Sequence, residues 1–266
     1  MRKLVALVRA AALTTFSYRL ETAVSLGGLL VSIVPLFFIA QALQPVMAKA
    51  IVTEAPQYFG FLVVGTTTFL LVVTAVNALP EAVQSGIAKG TLEALLATPT
   101  PLPVLFAGLT GFPLLWTVAR GGITLGVAWV LGAHVAWDRG LPALGIVGLI
   151  VLAHVPFAIL TASLVIAFKT AGPVSRGVLT VSAFLGGVYY PTQVIPSWLH
   201  DLSAFLPVTY GLRALRRTLL DRASFGAVSS DVAVLAAFAV VLLATSLVVW
   251  SWALRYARRA GTLAQY

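Results

Sequence analysis

Few residues of this chain have the types and spacing that catalysis needs. His200 and Asp201 are adjacent and could serve a transferase acting on lipid at the membrane surface, but neighbouring helical residues point about 100° apart. His154 lies two residues before Pro156 in an apolar stretch, where a histidine is either a proton relay or, more commonly, a packing residue. We predict no catalytic residue, and we keep a membrane-embedded lipid-modifying enzyme as the alternative function.

Metal and nucleotide binding are not indicated either. The three histidines do not fall at ligand spacing, the eight acidic residues are scattered, and cysteine is absent from the sequence. The phosphate-binding loop G-x-x-x-x-G-K-[ST] is also absent. We therefore predict no metal site, no bound cofactor and no ATP hydrolysis by this chain itself.

Arg120 is the one charged residue deep within a predicted membrane span, in FPLLWTVARGGITLG. Burying such a charge at the bilayer centre costs at least about 2.5 kcal/mol. The side chain either reaches back toward the cytoplasmic interface in a structural role or lines a substrate path. The sequence leaves both interpretations open.

The composition is that of an integral membrane protein. Of the 266 residues, 60% are hydrophobic and 9% are charged, whereas soluble domains carry about a quarter charged residues. The net charge of +9 comes from basic residues beside apolar runs, where they orient helices and meet anionic lipid headgroups. We expect membrane lipids as partners and no nucleic acid.

The hydropathy pattern predicts an all-α integral membrane protein with one domain, 1–266. An interfacial helix over 2–20 precedes six spans, at about 23–43, 57–79, 110–134, 141–168, 177–191 and 231–254. The fifth span has only about 15 residues, so we expect the segment after it to continue as a bent or re-entrant piece.

Lysine and arginine orient these spans, because cytoplasmic loops carry an excess of both. With the N-terminus inside, ten lie on the cytoplasmic side and six outside. The outer six are Lys49, Arg139, Arg213, Arg216, Arg217 and Arg222. We predict a multi-pass protein of the plasma membrane with both termini in the cytoplasm, although the outer cluster at 213–222 weakens the bias.

Residues 192–217 predict an external hairpin of two short amphipathic helices. The first would start at Pro196 and the second after Pro207, and neither is long enough to cross a bilayer. Such a hairpin must lie at the interface or pack against other helices. The residues expected to contact lipid or substrate are Trp198, Tyr210, Arg213, Arg216 and Arg217. The alternative is a surface loop with solvated arginines.

The polar segment 80–101 contains a short predicted helix at 91–98. Thr91 would cap it, Glu93 lies in the first turn, where the helix dipole favours an anion, and Pro99 stops it. Leu92, Leu95 and Leu96 would form an apolar ridge on this helix. The ridge would either fit a groove in a partner protein or lie on the membrane. The contact residues would be Thr91, Leu92, Glu93, Leu95 and Leu96.

Two of these stretches carry a resemblance to a known family. KGTLEALLATP follows the second span, and GGVYYP with IPSWL and LPVTYGLRALR precedes the last one. In this order and separation they resemble the type-2 ATP-binding-cassette (ABC) permeases, which include antibiotic, lipid and polysaccharide exporters. The likeness extends over essentially the whole chain, although segment 81–89 carries fewer charges than is usual there.

The resemblance implies a homodimer, or a dimer with a similar permease, bound to two copies of a separate ATPase subunit that holds ATP and Mg²⁺. Residues 91–98 would be the coupling helix that docks on the ATPase, and 192–217 would shape the outer exit. The leading interpretation is a permease that exports an amphiphilic or hydrophobic substrate, because the predicted spans contain so few charges.

Overall fold

The computed structural model describes residues 2–91, 100–168 and 172–259. Over these ranges the chain is helical and has no β-strand, as the hydropathy pattern predicts. The nine α-helices of the described part are α1 (Arg2–Ser17), α2 (Arg19–Ile51), α3 (Tyr58–Ala88), α4 (Leu102–Val130), α5 (Gly140–Phe168), α6 (Gly172–Leu185), α7 (Ser197–Ser203), α8 (Pro207–Leu219) and α9 (Phe225–Arg259).

Five helices in the described ranges are long and apolar enough to cross a membrane, namely α2, α3, α4, α5 and α9. Their apolar stretches are Thr22–Ile51, Tyr58–Ala88, Pro103–Val130, Trp137–Ala167 and Phe225–Tyr256. They correspond to the first, second, third, fourth and sixth predicted spans. The third begins earlier than predicted because the apolar run from Leu102 joins the helix directly.

The predicted fifth span, 177–191, does not form a helix of crossing length. Helix α6 has 14 residues, which is about 21 Å against a hydrocarbon core of about 30 Å. It ends at Leu185, and Gly187 follows with a φ of +80°, a conformation that glycine adopts readily. The chain from 186 to 196 contains only a short 3₁₀ turn, Thr192–Val194.

Helix α3 lies at the centre of the bundle. It packs against α2, α4, α5, α6 and α8, while α5 packs against α9 on its other side. More than half of the residues of α3 are buried, as expected for a helix that is apolar on all faces. A second core lies further along the bundle, where the rings of Phe106 and Trp250 meet edge to face at 4.8 Å.

Helix α1 is separated from α2 by Tyr18 and docks on the side of α4. The ring of Phe16 lies 6.0 Å from that of Phe112 and 5.5 Å from that of Trp116. A helix therefore forms over Arg2–Ser17, within the predicted 2–20, with its C-terminal end held by aromatic contacts to a spanning helix, and its place at the membrane interface stays a prediction.

Three hydrogen bonds join helix ends and connecting segments at one end of the bundle. The Tyr58 N–H donates to Gln44 Oε1 at 2.7 Å, and the Tyr58 hydroxyl donates to the Tyr189 carbonyl at 2.9 Å. The Ala136 N–H donates to the Leu219 carbonyl at 2.8 Å. We call this the hairpin end. Helix α3 leads from there to Thr91 at the opposite end, about 45 Å away at 1.5 Å per residue.

The two predicted hairpin helices both form. Pro196 is the N-cap of α7, and Pro207 is the first residue of α8, a position where its missing N–H costs no hydrogen bond. The predicted apolar stripe of α8 is buried against α3, α5 and α9, and consists of Val208, Leu212, Leu215 and Leu219. Packing against other helices therefore holds α8.

Candidate functional site

A cavity of about 240 Å³ lies among α3, α4, α5 and α8. Its walls are apolar and small side chains, including Val64, Leu125, Val147 and Leu215, and its polar side chains are mainly threonine hydroxyls. None of its lining residues is charged. We call it the apolar cavity, because it can accommodate an apolar group and offers few hydrogen bonds.

A smaller cavity of about 100 Å³ adjoins the first on the side of α2. Thr67, Thr117 and Gly121 line both cavities, so the two share a wall. The smaller cavity also contains Arg120 and the hydroxyl-bearing Thr74 and Thr124. We call it the arginine cavity.

Among the described residues, Arg120 is the one charged residue that lines either cavity. Its Nε is buried and has no hydrogen-bond partner within the described part of the chain. It lies ten residues before the end of α4 at Val130, about 15 Å from that end and about 27 Å from the other. The structure thus places this arginine within a spanning helix, on the hairpin-end side of its middle.

Helices α3 and α4 approach closely where the two cavities meet. A Cβ on Gly121 would lie 2.8 Å from Thr67 Cγ2, so only glycine fits there without a shift. The hydroxyls of Thr74 and Thr117 lie 3.1 Å apart across the same contact. Small residues and inter-helical hydroxyl contacts are typical of packed membrane helices.

The structure corrects the predicted lipid or substrate contact at Arg216. This residue is 1% exposed, and its Nη1 donates to Glu54 Oε2 at 3.1 Å. Other guanidinium N–H groups donate to the carbonyls of Phe61, Gly187 and Val188 at 2.8 to 3.2 Å. Burial lowers the pKa of the Arg216 guanidinium to about 10, and the neighbouring Glu54 carboxylate opposes that decrease.

Arg213 is likewise engaged inside the protein. Its Nε donates to Asp231 Oδ1 at 2.9 Å, its Nη2 donates to the same oxygen, and its guanidinium lies 5.3 Å from the Tyr210 ring centre. The hydrogen bond to Asp231 raises the pKa of the Arg213 guanidinium above its ordinary value. Arg217 Nη1 donates to the Ala227 carbonyl at 2.9 Å.

The basic cluster at 213–222, which weakens the charge bias of the sequence, is held by contacts within the protein. Arg222 Nη2 lies 3.1 Å from Asp138 Oδ1, so a third acidic residue at the hairpin end also has an arginine partner. Glu54, Asp138 and Asp231 therefore offset arginines at the same end.

Of the remaining predicted hairpin contacts, Trp198 is largely exposed on α7. Tyr210 is half-buried, and its hydroxyl donates to the Ala204 carbonyl at 3.0 Å. Lipid or substrate contact at these two residues, and at the partly exposed Arg213 and Arg217, remains a prediction.

The predicted coupling residues Leu92, Glu93, Leu95 and Leu96 lie outside the described residues. Thr91 is described, and its N–H donates to the Gly86 carbonyl at 2.9 Å, which closes the last turn of α3. The predicted docking role of 91–98 therefore stays a prediction.

The histidines do not assemble a catalytic group in the described part of the chain. His154 is buried, with Nδ1 2.7 Å from the Ile150 carbonyl, which fits a packing role. His200 Nδ1 lies 3.9 Å from Asp201 Oδ1, too far for a hydrogen bond, and both side chains are exposed. Among the described residues no three His, Cys, Asp or Glu side chains cluster as metal ligands would.

Sequence reasoning missed Glu54 and Asp231 as structural partners. Both are buried acidic residues at the hairpin end. A signal was present, because arginines that fall on a packed helix need carboxylate partners and this chain has only eight acidic residues.

Comparison with known proteins agrees with this architecture. A family model described as ABC-2 type transporter matches residues 28–220, from within α2 to just past α8. No curated protein matches the chain. In this family the membrane domain lacks the ATPase, and ATP binds to a separate ABC ATPase subunit. With spanning helices, a cavity between them and a family match over most of its length, the chain belongs to the ABC-2 type transporter family as a multi-pass, non-catalytic membrane permease domain.

Proposed function

We propose that this chain is the permease subunit of an ATP-driven exporter. Its substrate is an amphiphilic or hydrophobic molecule, such as a natural product, a lipid or a lipid-linked glycan, taken from the cytoplasm or the inner leaflet. The observation that carries this substrate class is the apolar cavity, which lies between spanning helices and has no charged lining. A sugar or an ion would lose its hydration there without replacement hydrogen bonds.

The working unit that we propose contains two permease copies, or this chain and a similar permease, with two ATPase subunits. Large apolar side chains such as Val31 on α2 and Val240 on α9 are exposed on the isolated chain. Such faces suit lipid tails or a second copy. ATP and Mg²⁺ bind to the ATPase, which shifts the permease pair between two states through residues 91–98.

The proposed orientation puts both termini and residues 91–98 in the cytoplasm and 192–217 outside, in the plasma membrane. Helix α6 and the residues after it, to about 191, would form the fifth of six crossings. Charge supports this orientation. At the end opposite the hairpin, Arg19, Lys89 and Arg255 form no ion pair with a described residue, whereas several hairpin-end arginines are paired. Lysine and arginine near the ends of spanning helices are enriched on the cytoplasmic side.

The test is co-expression of the chain with candidate ABC ATPase subunits from the same organism, followed by purification and reconstitution in liposomes. We expect the two proteins to co-purify and a fluorescent amphiphile to move only when ATP is present. The control is the same complex with the lysine of the ATPase phosphate-binding loop replaced. Failure to recover a complex, or transport that ignores ATP, contradicts the proposal.

A further inference from the structure

We propose that Arg120 recognises an anionic headgroup, so that the cargo is an anionic amphiphile with a phosphate or carboxylate head. A segment of the apolar part of the molecule would enter the apolar cavity while the head enters the arginine cavity. This inference rests on the proposed export function and narrows its substrate class.

The first argument is that Arg120 has no counter-charge among the residues that the structure describes. Arg213, Arg216 and Arg222 each pair with a carboxylate. No described carboxylate pairs with Arg120, and its buried Nε donates to no described atom. A buried guanidinium N–H without an acceptor is unfavourable, and an oxyanion supplies that acceptor.

The second argument is the fit between donors and ligand. The guanidinium is planar and presents its donors as a fork that matches a carboxylate or phosphate in two-point contact. Threonine hydroxyls stand beside it in the same cavity. The Thr74 and Thr117 hydroxyls can each donate to a carbonyl of their own helix or to one another. Each hydroxyl has a single proton, and rotation of the hydroxyl decides which acceptor receives it. Hydroxyl rotation can therefore turn one proton to a headgroup oxygen.

The third argument is the arrangement of the two cavities. They share Thr67, Thr117 and Gly121, so a single ligand can extend from one into the other. One cavity has no charged lining and the other has a cation with hydroxyls. This pairing matches a molecule with one apolar part and one anionic part. The Arg120 side chain is only partly buried, which leaves the head a way in.

Binding is measured on the full-length chain in detergent with three probes: fluorescent phosphatidic acid, diacylglycerol with the same acyl chains, and glycerol phosphate as the headgroup alone. We expect phosphatidic acid to bind at least about tenfold more tightly than diacylglycerol, since a charge-assisted hydrogen bond contributes about that factor. Arg120→Gln should remove this preference and leave diacylglycerol binding unchanged. Arg120→Lys should retain part of it.

Arg222→Gln is the matched control, because Arg222 is exposed at the hairpin end, pairs with Asp138 and lines neither cavity. It should keep the wild-type preference. The inference is overturned if Arg120→Gln keeps the preference, or if it weakens both lipid probes equally, as a merely structural arginine would. Competition by glycerol phosphate as strong as that by phosphatidic acid overturns the two-cavity arrangement.

Transport separates a cargo from a resident lipid. In liposomes with the ATPase subunit, ATP should drive movement of phosphatidic acid by the wild type and much less by Arg120→Gln. ATP-driven movement of diacylglycerol without phosphatidic acid overturns this inference and leaves the export function standing. Failure to move phosphatidic acid while another fluorescent amphiphile moves with ATP overturns this inference alone, whereas no ATP-driven movement of any amphiphile tested by an assembled complex overturns the export function itself.

Discussion

Arg216 Nη1 lies 3.1 Å from Glu54 Oε2, in an ion pair whose two residues are 1% and 5% exposed. The pair ties the α2–α3 connection to α8, across most of the sequence. The same guanidinium also holds the carbonyls of Gly187 and Val188, which follow α6. One side chain therefore fixes three segments of the hairpin end.

We predict that Glu54→Gln lowers the free energy of unfolding by about 3 to 5 kcal/mol, because breaking a buried ion pair leaves an uncompensated charge. Thermal unfolding of the purified chain in detergent measures the effect. Arg217→Gln is the control, with an expected change below about 1 kcal/mol, since it removes one exposed hydrogen bond. An equal effect of the two variants would show that the Glu54 carboxylate is not needed.

The Arg213–Asp231 pair should respond asymmetrically. The Arg213 side chain is 35% exposed and that of Asp231 is 5% exposed. Arg213→Gln leaves a buried carboxylate without its partner and should cost about 3 kcal/mol or more. Asp231→Asn leaves an arginine that can turn to water or headgroups, so it should cost about half as much. Equal losses in a denaturant titration would contradict the burial difference.

Gly65 should not tolerate a methyl group. A Cβ there would collide with the Val188 carbonyl oxygen and with Arg216 Nη2, so Gly65→Ala should destabilise the protein by about 1 to 3 kcal/mol. Gly148→Ala is the matched control, because nothing lies within 4 Å of its added Cβ. It should be neutral or slightly stabilising through better helix propensity. The comparison uses melting temperatures of the two variants side by side.

The proposed orientation predicts opposite labelling of two single cysteines. The natural chain has no cysteine, so Glu93→Cys and Asp201→Cys each report one position. A membrane-impermeant maleimide added to intact cells should label position 201 and reach position 93 only after the membrane is opened. Labelling of both positions in intact cells would put them on one aqueous side and refute the orientation.

The coupling segment predicts a binding defect without loss of stability. Replacing Leu95 and Leu96 together by Ala should weaken association with the ATPase subunit at least tenfold, because each buried leucine contributes about 1.5 to 3 kcal/mol. Co-purification yield and titration against the isolated ATPase measure this. Val52→Ala changes an exposed residue at the hairpin end and should leave association unchanged. Unaltered affinity of the double variant would remove 91–98 as the docking helix.

The sequence by itself determined the membrane class, the helical content, the main spanning helices and the two hairpin helices that start at Pro196 and Pro207. Hydropathy and proline act locally, so these features can be read along the chain. Only the tertiary structure decided which arginines pair with a carboxylate inside the protein. The sequence does not show that Arg216 and Arg213 meet Glu54 and Asp231, nor that Arg120 faces a cavity. Pairing of charges distant along the chain depends on how helices pack, and no local pattern encodes that.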